Sequence, residues 1–148
     1  MKADNTCREV LFRMGKSGMY CRLVYVGNSV WRLQANPRGK RFDSLGAAQS
    51  FAKYLKEELP EETCPVRVTN APERITVTAE NGAKVCIGGT PFTLTFYSPE
   101  GKLLSVVTKI ASEKGQTRVC GTLESSEAVY GGGEKFDTAN KRGTSFPL

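Results

Sequence analysis

The residues best suited to chemistry cluster in one stretch, YGGGEKFDTANKRG, running from Tyr130 to Gly143. Gly131, Gly132 and Gly133 lead into two carboxylates, Glu134 and Asp137, and then into Asn140, Lys141 and Arg142. Three functions suit such a composition: holding a phosphate, supplying part of an active site, or forming a turn. A phosphate-binding loop requires GxxxxGK[ST] between a strand and a helix. Here Gly133 is followed by Glu134, and no Lys-Ser or Lys-Thr pair follows. A dinucleotide fingerprint requires GxGxxG, and Phe136 stands where the last glycine should be. Both are rejected. The glycines let the backbone take positive φ or approach another segment closely. Glu134 can accept backbone N–H bonds and pin such a loop, and Phe136 can anchor it. Asp137, Asn140, Lys141 and Arg142 suit sugar hydroxyls or salt bridges.

The rest of the chain narrows the chemistry by what it lacks. It has no histidine, so a Ser–His–Asp triad and a Cys–His pair are both excluded. Its five cysteines, Cys7, Cys21, Cys64, Cys86 and Cys120, show no metal-ligand spacing and read as reduced thiols. No metal and no cofactor is expected. The net charge is +6, unevenly spread. Residues 1–42 hold nine Lys/Arg against Asp4 and Glu9, a net +7, and the remainder holds twelve against thirteen, a net −1. A basic first third suits nucleic acid or an acidic partner, or is a solvated Arg-rich sheet face, which is the favoured reading.

The elements that must position these groups read as strands. RITVTA alternates Ile75, Val77 and Ala79 with threonines. PFTLTFY alternates Phe92, Leu94 and Phe96 with Thr93, Thr95 and Tyr97. Period two with β-branched and aromatic residues marks half-buried strands. AKVCI lies between them, with Gly82 before it and Gly88-Gly89 after it as turn signals. SPEG predicts a turn with Pro99 second and Gly101 fourth, and KLLSVVTKI and QTRVCGTLE follow as strands. Upstream, MYCRLVYV and SVWRLQA flank Gly27-Asn28, a dipeptide suited to a tight hairpin, with Trp31 as a core anchor. One segment departs from this plan. Leu45, Ala48, Ala52, Leu55 and Leu59 recur at helical steps, with Asp43 or Ser44 as cap and Pro60 after the end. The expectation is an antiparallel β-sandwich with one amphipathic helix near 44–59.

A chain of 148 residues suits one domain, 1–148, with a core that needs no staples. No apolar run reaches membrane-span length, and MKADNTCREV has no signal-peptide core. Membrane association is not expected, and the location is expected to be cytoplasmic.

AVYGGGEKFDTANKRG resembles the stretch that closes the N-terminal galactose-mutarotase-like β-sandwich of glycoside hydrolase family 31, the α-glucosidases and α-xylosidases. The family pattern runs Tyr-Gly-x-Gly-Glu-(Arg/Lys)-Phe and then Asn-(Lys/Arg)-(Lys/Arg)-Gly. Tyr130, Gly131, Gly133, Glu134, Lys135 and Phe136 match it in register, as do Asn140, Lys141, Arg142 and Gly143. Gly132 stands where the family often has a bulky apolar residue. The likeness continues backward over RITVTAENGAKVCIGGTPFTLTFYSPEGKLL, and WRLQA…RFDSLGAAQSFAKYL resembles what some members carry upstream.

The resemblance implies a non-catalytic domain that packs on a (β/α)₈ barrel and shapes its substrate entrance. In the family the two catalytic aspartates stand on that barrel, which places them beyond Leu148. Retaining hydrolysis needs two carboxylates about 5–5.5 Å apart. Catalytic residues are therefore not expected in this chain. By the same likeness Tyr130, Gly131, Gly133, Glu134, Arg142 and Gly143 brace the loop. Phe136, Asp137, Asn140 and Lys141 face the barrel or the substrate rim. The implied partners are an α-linked oligosaccharide, bound through the parent enzyme, and the catalytic barrel itself. A barrel-facing surface left exposed would invite a homo-oligomer.

Two other readings stand beside this one. A free-standing carbohydrate-binding module would need Tyr20, Tyr25, Trp31 and Tyr97 to form an aromatic platform, although strand alternation splits them between faces. A nucleic-acid-binding β domain would combine the basic first third with Tyr20, Tyr25 and Trp31. It carries no RRM or cold-shock signature, and nucleic acid is the least favoured partner.

Overall fold

A computed structural model describes residues 6–14, 19–42, 63–113 and 116–127. Within them the protein is all-β and antiparallel. The strands are β1 (Thr6–Cys7), β2 (Val10–Met14), β3 (Met19–Gly27), β4 (Val30–Asn36), β5 (Val66–Ala71), β6 (Arg74–Ala79), β7 (Lys84–Gly88), β8 (Thr93–Tyr97), β9 (Leu103–Glu113) and β10 (Gln116–Thr122). Seven of them form one sheet in the order β1-β5-β6-β7-β8-β9-β10, and β2-β3-β4 form the other. The helix expected over 44–59 lies outside the described residues.

The alternation seen in the sequence sorts the side chains between core and outside. Val10, Leu23 and Tyr25 of the small sheet pack in one cluster with Val66, Val77, Val85 and Ile87 of the large one. Met14, Met19 and Cys21 meet Leu94 and Ile110 in a second. Apolar residues from both inner faces thus share one interior, which makes the two sheets a sandwich. Trp31 is half-buried and packs on the first cluster, its ring 4.9 Å from that of Tyr25 and tilted by 49°. Its indole nitrogen is buried without a hydrogen-bond partner among the described residues.

The turns follow their residues. Gly101 N–H donates to Ser98 O at 3.0 Å and Ser98 N–H to Lys102 O at 2.9 Å, with Pro99 at the second position, as SPEG predicts. The Ser98 hydroxyl also holds the exposed Glu100 carboxyl below its ordinary pKa. The β3–β4 hairpin differs by one residue from the Gly27-Asn28 expectation. Its two central residues are Asn28 and Ser29, with φ of 50° and 62°; Gly27 pairs with Val30, and Val26 is bulged out between that pair and Tyr25–Trp31. Both central residues of a type I′ turn need positive φ, and here a serine takes the second place. Ser29 is held there by two bonds. Its N–H donates to the buried Tyr25 hydroxyl at 3.0 Å, and its own hydroxyl accepts from Asn81 at 2.9 Å.

Candidate functional site

The loop singled out in the sequence lies outside the described residues, which end at Glu127. That covers Tyr130, Gly131, Gly133, Glu134, Phe136, Asp137, Asn140, Lys141, Arg142 and Gly143. The structure does describe the strands and turn that lead directly to it. β9 and β10 pair antiparallel, from Gln116 opposite Glu113 to Thr122 opposite Val106. β9 is bulged twice. Leu104 falls between the pairs Tyr97–Leu103 and Phe96–Ser105, and Thr108 falls between Cys120–Lys109 and Gly121–Val107. Bulges bend a strand and raise its twist.

A turn closes this hairpin end. Glu127 N–H donates to Glu124 O at 3.1 Å, and a Glu127 carboxylate oxygen accepts from Glu124 N–H at 2.6 Å. Beside it opens a groove of about 340 Å³, lined by Lys102, by residues 103–106 of β9 and by Thr122, Leu123, Glu124, Ser126 and Glu127. Its leucines are in water: Leu103, Leu104 and Leu123 are 47%, 49% and 53% exposed. Farther along β10, Val119 is 63% exposed although its cross-strand partner Ile110 is buried. Val119 and Ile110 share the inner face, so exposure of the one marks where the three-stranded sheet stops covering the seven-stranded one. Exposed apolar side chains clustered at a groove are the mark of a contact surface.

The sequence reading missed these leucines, yet a signal was there. Adjacent Leu103 and Leu104 cannot both point inward from a regular strand, so one of any such pair must face out. Among the described residues, no group of three or more Cys, Asp or Glu side chains is placed to hold a metal ion.

The sequence model of the glycosyl hydrolase 31 N-terminal galactose mutarotase-like domain matches residues 21–148. The chain belongs to this family. The match takes in both the described strands from β3 onward and the Tyr130–Gly143 loop. It also begins well upstream of the stretch whose motifs carry the likeness most clearly. No curated protein and no solved structure matched the chain.

Among the described residues of this mutarotase-like domain, Tyr20, Tyr25, Trp31 and Tyr97 do not assemble into a platform. Tyr25 is buried and Trp31 packs on the core. Tyr20 lies outside the small sheet with the Arg13 guanidinium 4.5 Å from its ring centroid. Tyr97 lies on the large sheet with the Lys84 ammonium 5.3 Å from its ring. Tyr20 and Tyr97 therefore sit on opposite outer faces.

The cysteines of the domain are all free. Cys21 is fully buried, and burial pushes its thiol from an ordinary 9.0 up to about 11. Burial disfavours the thiolate, so the folded thiol stays neutral where the unfolded one ionises. Stability from this residue is accordingly complete below pH 9.0 and is lost as pH rises toward about 11. At about pH 8, iodoacetamide is expected to leave Cys21 unmodified in the native protein and to alkylate it after denaturation. Peptide mass spectrometry checks this. Native labelling of Cys21 as fast as that of the half-buried Cys86 or Cys120 would contradict it.

Proposed function

We propose that this mutarotase-like domain is the non-catalytic entry domain of a retaining α-glycoside hydrolase of family 31. It packs on a catalytic barrel that supplies both aspartates, and helps shape the barrel's substrate entrance. The substrate is an α-linked glucoside or xyloside. The observation that carries this reading is the family match over residues 21–148, joined to a groove with exposed leucines on the strand pair that precedes the family's loop. In this reading Glu134 and Arg142 brace the loop with Tyr130 and the glycines. Phe136, Asp137, Asn140 and Lys141 face the barrel or the rim of the substrate site. Leu103, Leu104 and Leu123 cover apolar surface on the barrel and leave water when the two meet.

The test compares two proteins. In the 148-residue chain, Leu103→Glu with Leu123→Glu is expected to change stability by less than about 0.5 kcal/mol, because both side chains are already in water. In the barrel-containing gene product the same pair is expected to lower hydrolysis of aryl α-glucosides or α-xylosides at least about tenfold, because charge is driven into a dry contact. Equal activity of variant and parent would sink the docking role. A large loss of stability in the 148-residue chain would instead make the leucines part of its core.

A further inference from the structure

Val24 is buried on the wrong side of its sheet. Along β3, Leu23 and Tyr25 turn inward to the core, so Val24 between them turns outward. It is nevertheless only 2% exposed, and it belongs to neither core cluster of the described residues. β3 is the central strand of the small sheet. Arg32, its cross-strand partner on β4, can flank Val24 in the plane of the sheet but does not form a layer above it. Burial of that degree on an outer face needs such a layer.

We propose that residues 44–59 supply it, as an amphipathic helix laid across the outer face of β3 and β4. The two ends of the segment set its path. Where the chain leaves β4, Asn36 folds it back: its Oδ1 accepts from Arg38 N–H at 2.8 Å, and its Nδ2 donates to Arg41 O. That turn brings the Lys40 ammonium 5.9 Å from the ring centroid of Tyr20, the cross-strand partner of Asn36. The chain returns at Cys64, whose N–H donates to Tyr25 O at 2.8 Å, next to Val24. Residues 43–62 therefore travel from the Tyr20 level of β3 to its Tyr25 level, about 17 Å at the rise of a strand. A helix over 44–59 spans about 24 Å, enough to cover that length. Leu45, Ala48, Ala52, Leu55 and Leu59 form one apolar stripe, and its later leucines arrive at the end where Val24 lies. A path beside an edge strand would join the same two ends but would leave the central strand bare.

Charge favours the same placement. Residues 43–62 hold Asp43, Glu57, Glu58, Glu61 and Glu62 against Lys53 and Lys56, a net −3. The face they cross carries Arg13, Arg22 and Arg32 at outward register positions, with Arg38, Lys40 and Arg41 at its margin. The net +7 of residues 1–42 is then partly met inside the chain, and this face is closed to nucleic acid.

The test uses the 148-residue chain. With p-benzoylphenylalanine in place of Arg32, irradiation is expected to insert the probe into residues 52–59, as located by peptide mass spectrometry. The same probe in place of Thr76, on the outer face of the seven-stranded sheet, is expected to leave 44–59 unlabelled. Hydrogen exchange is a second readout. Amides 48–59 are expected to exchange at least about tenfold more slowly than in the unfolded chain. Leu55→Asp, which alters the segment and not the sheet, is expected to abolish that protection while β6 and β7 keep theirs. The proposal is overturned if the Arg32 probe inserts outside 44–59 or nowhere, if the Thr76 probe captures the segment, if 48–59 exchange at the unfolded rate, or if Leu55→Asp leaves their protection intact.

Discussion

Gly88→Ala is expected to cost about 4 kcal/mol and to lower the melting temperature by more than about 10 °C. Gly88 ends β7 with φ of 123°, a conformation that side chains rarely adopt. A Cβ there would lie 2.3 Å from Glu73 O and 3.2 Å from Arg74 Cα. These are backbone atoms of the β5–β6 turn, and they cannot swing aside as the end of a side chain can. Glu73 O also accepts from Gly89 N–H at 2.9 Å, so moving it breaks that bond. Strain and clash act together at β7, the central strand of the seven-stranded sheet, where it meets the β5–β6 turn. Thermal unfolding followed by circular dichroism measures the effect. A loss below about 1 kcal/mol would show that the two turns do not approach so closely.

The second large effect is expected at Tyr25. Tyr25→Ala should cost about 4 kcal/mol, as truncation of a buried aromatic does. Its side chain is 1% exposed, packs against Trp31, and accepts the Ser29 N–H that steadies the β3–β4 turn. Its backbone oxygen also receives Cys64 N–H at 2.8 Å, just before β5 begins. One residue thus serves the core, a hairpin and the return of the chain to the larger sheet. Tyr25→Phe separates these roles. It keeps the ring and removes only the acceptor for Ser29, so about 1 kcal/mol should be lost. Urea titration of the two variants checks the ratio. A Phe variant as unstable as the Ala variant would assign the effect to the hydroxyl rather than to packing.

The strands from β6 to β10 were legible because their alternation is local. Val77, Ala79 and Leu94 are buried where the pattern places them, at 0%, 4% and 0% exposure. The short β1 and the five-residue β2 were not read as strands. In VLFRM only Val10 and Met14 are buried, too sparse a rhythm to stand out from the sequence. The hairpin turn was displaced by one residue because Gly27 advertises positive φ, whereas the turn's second place is taken by Ser29. What holds Ser29 there comes from Tyr25 and from Asn81 on another hairpin, and so cannot be seen locally. The division into sheets of seven and three strands rests on long-range pairing, such as β1 with β5. Pattern alone specifies faces but not neighbours.

The same limit explains the surfaces. The Tyr130–Gly143 loop was legible as a family signature, because glycines and charges at fixed steps survive in the linear sequence. The leucine groove was not, because Leu103 and Leu123 become neighbours only through the β9–β10 hairpin. The basic first third was visible as composition. Its concentration around Tyr20 depends on the turn that Asn36 folds.

The central claim is that the domain serves a larger glycosidase. The intact mass of the gene product in its own cells, captured with an antibody against this domain, tests it most directly. The account predicts a species several times heavier than 16.2 kDa that hydrolyses aryl α-glucosides or α-xylosides. A product of 16.2 kDa with no heavier form would contradict it, leaving the domain to act by binding alone.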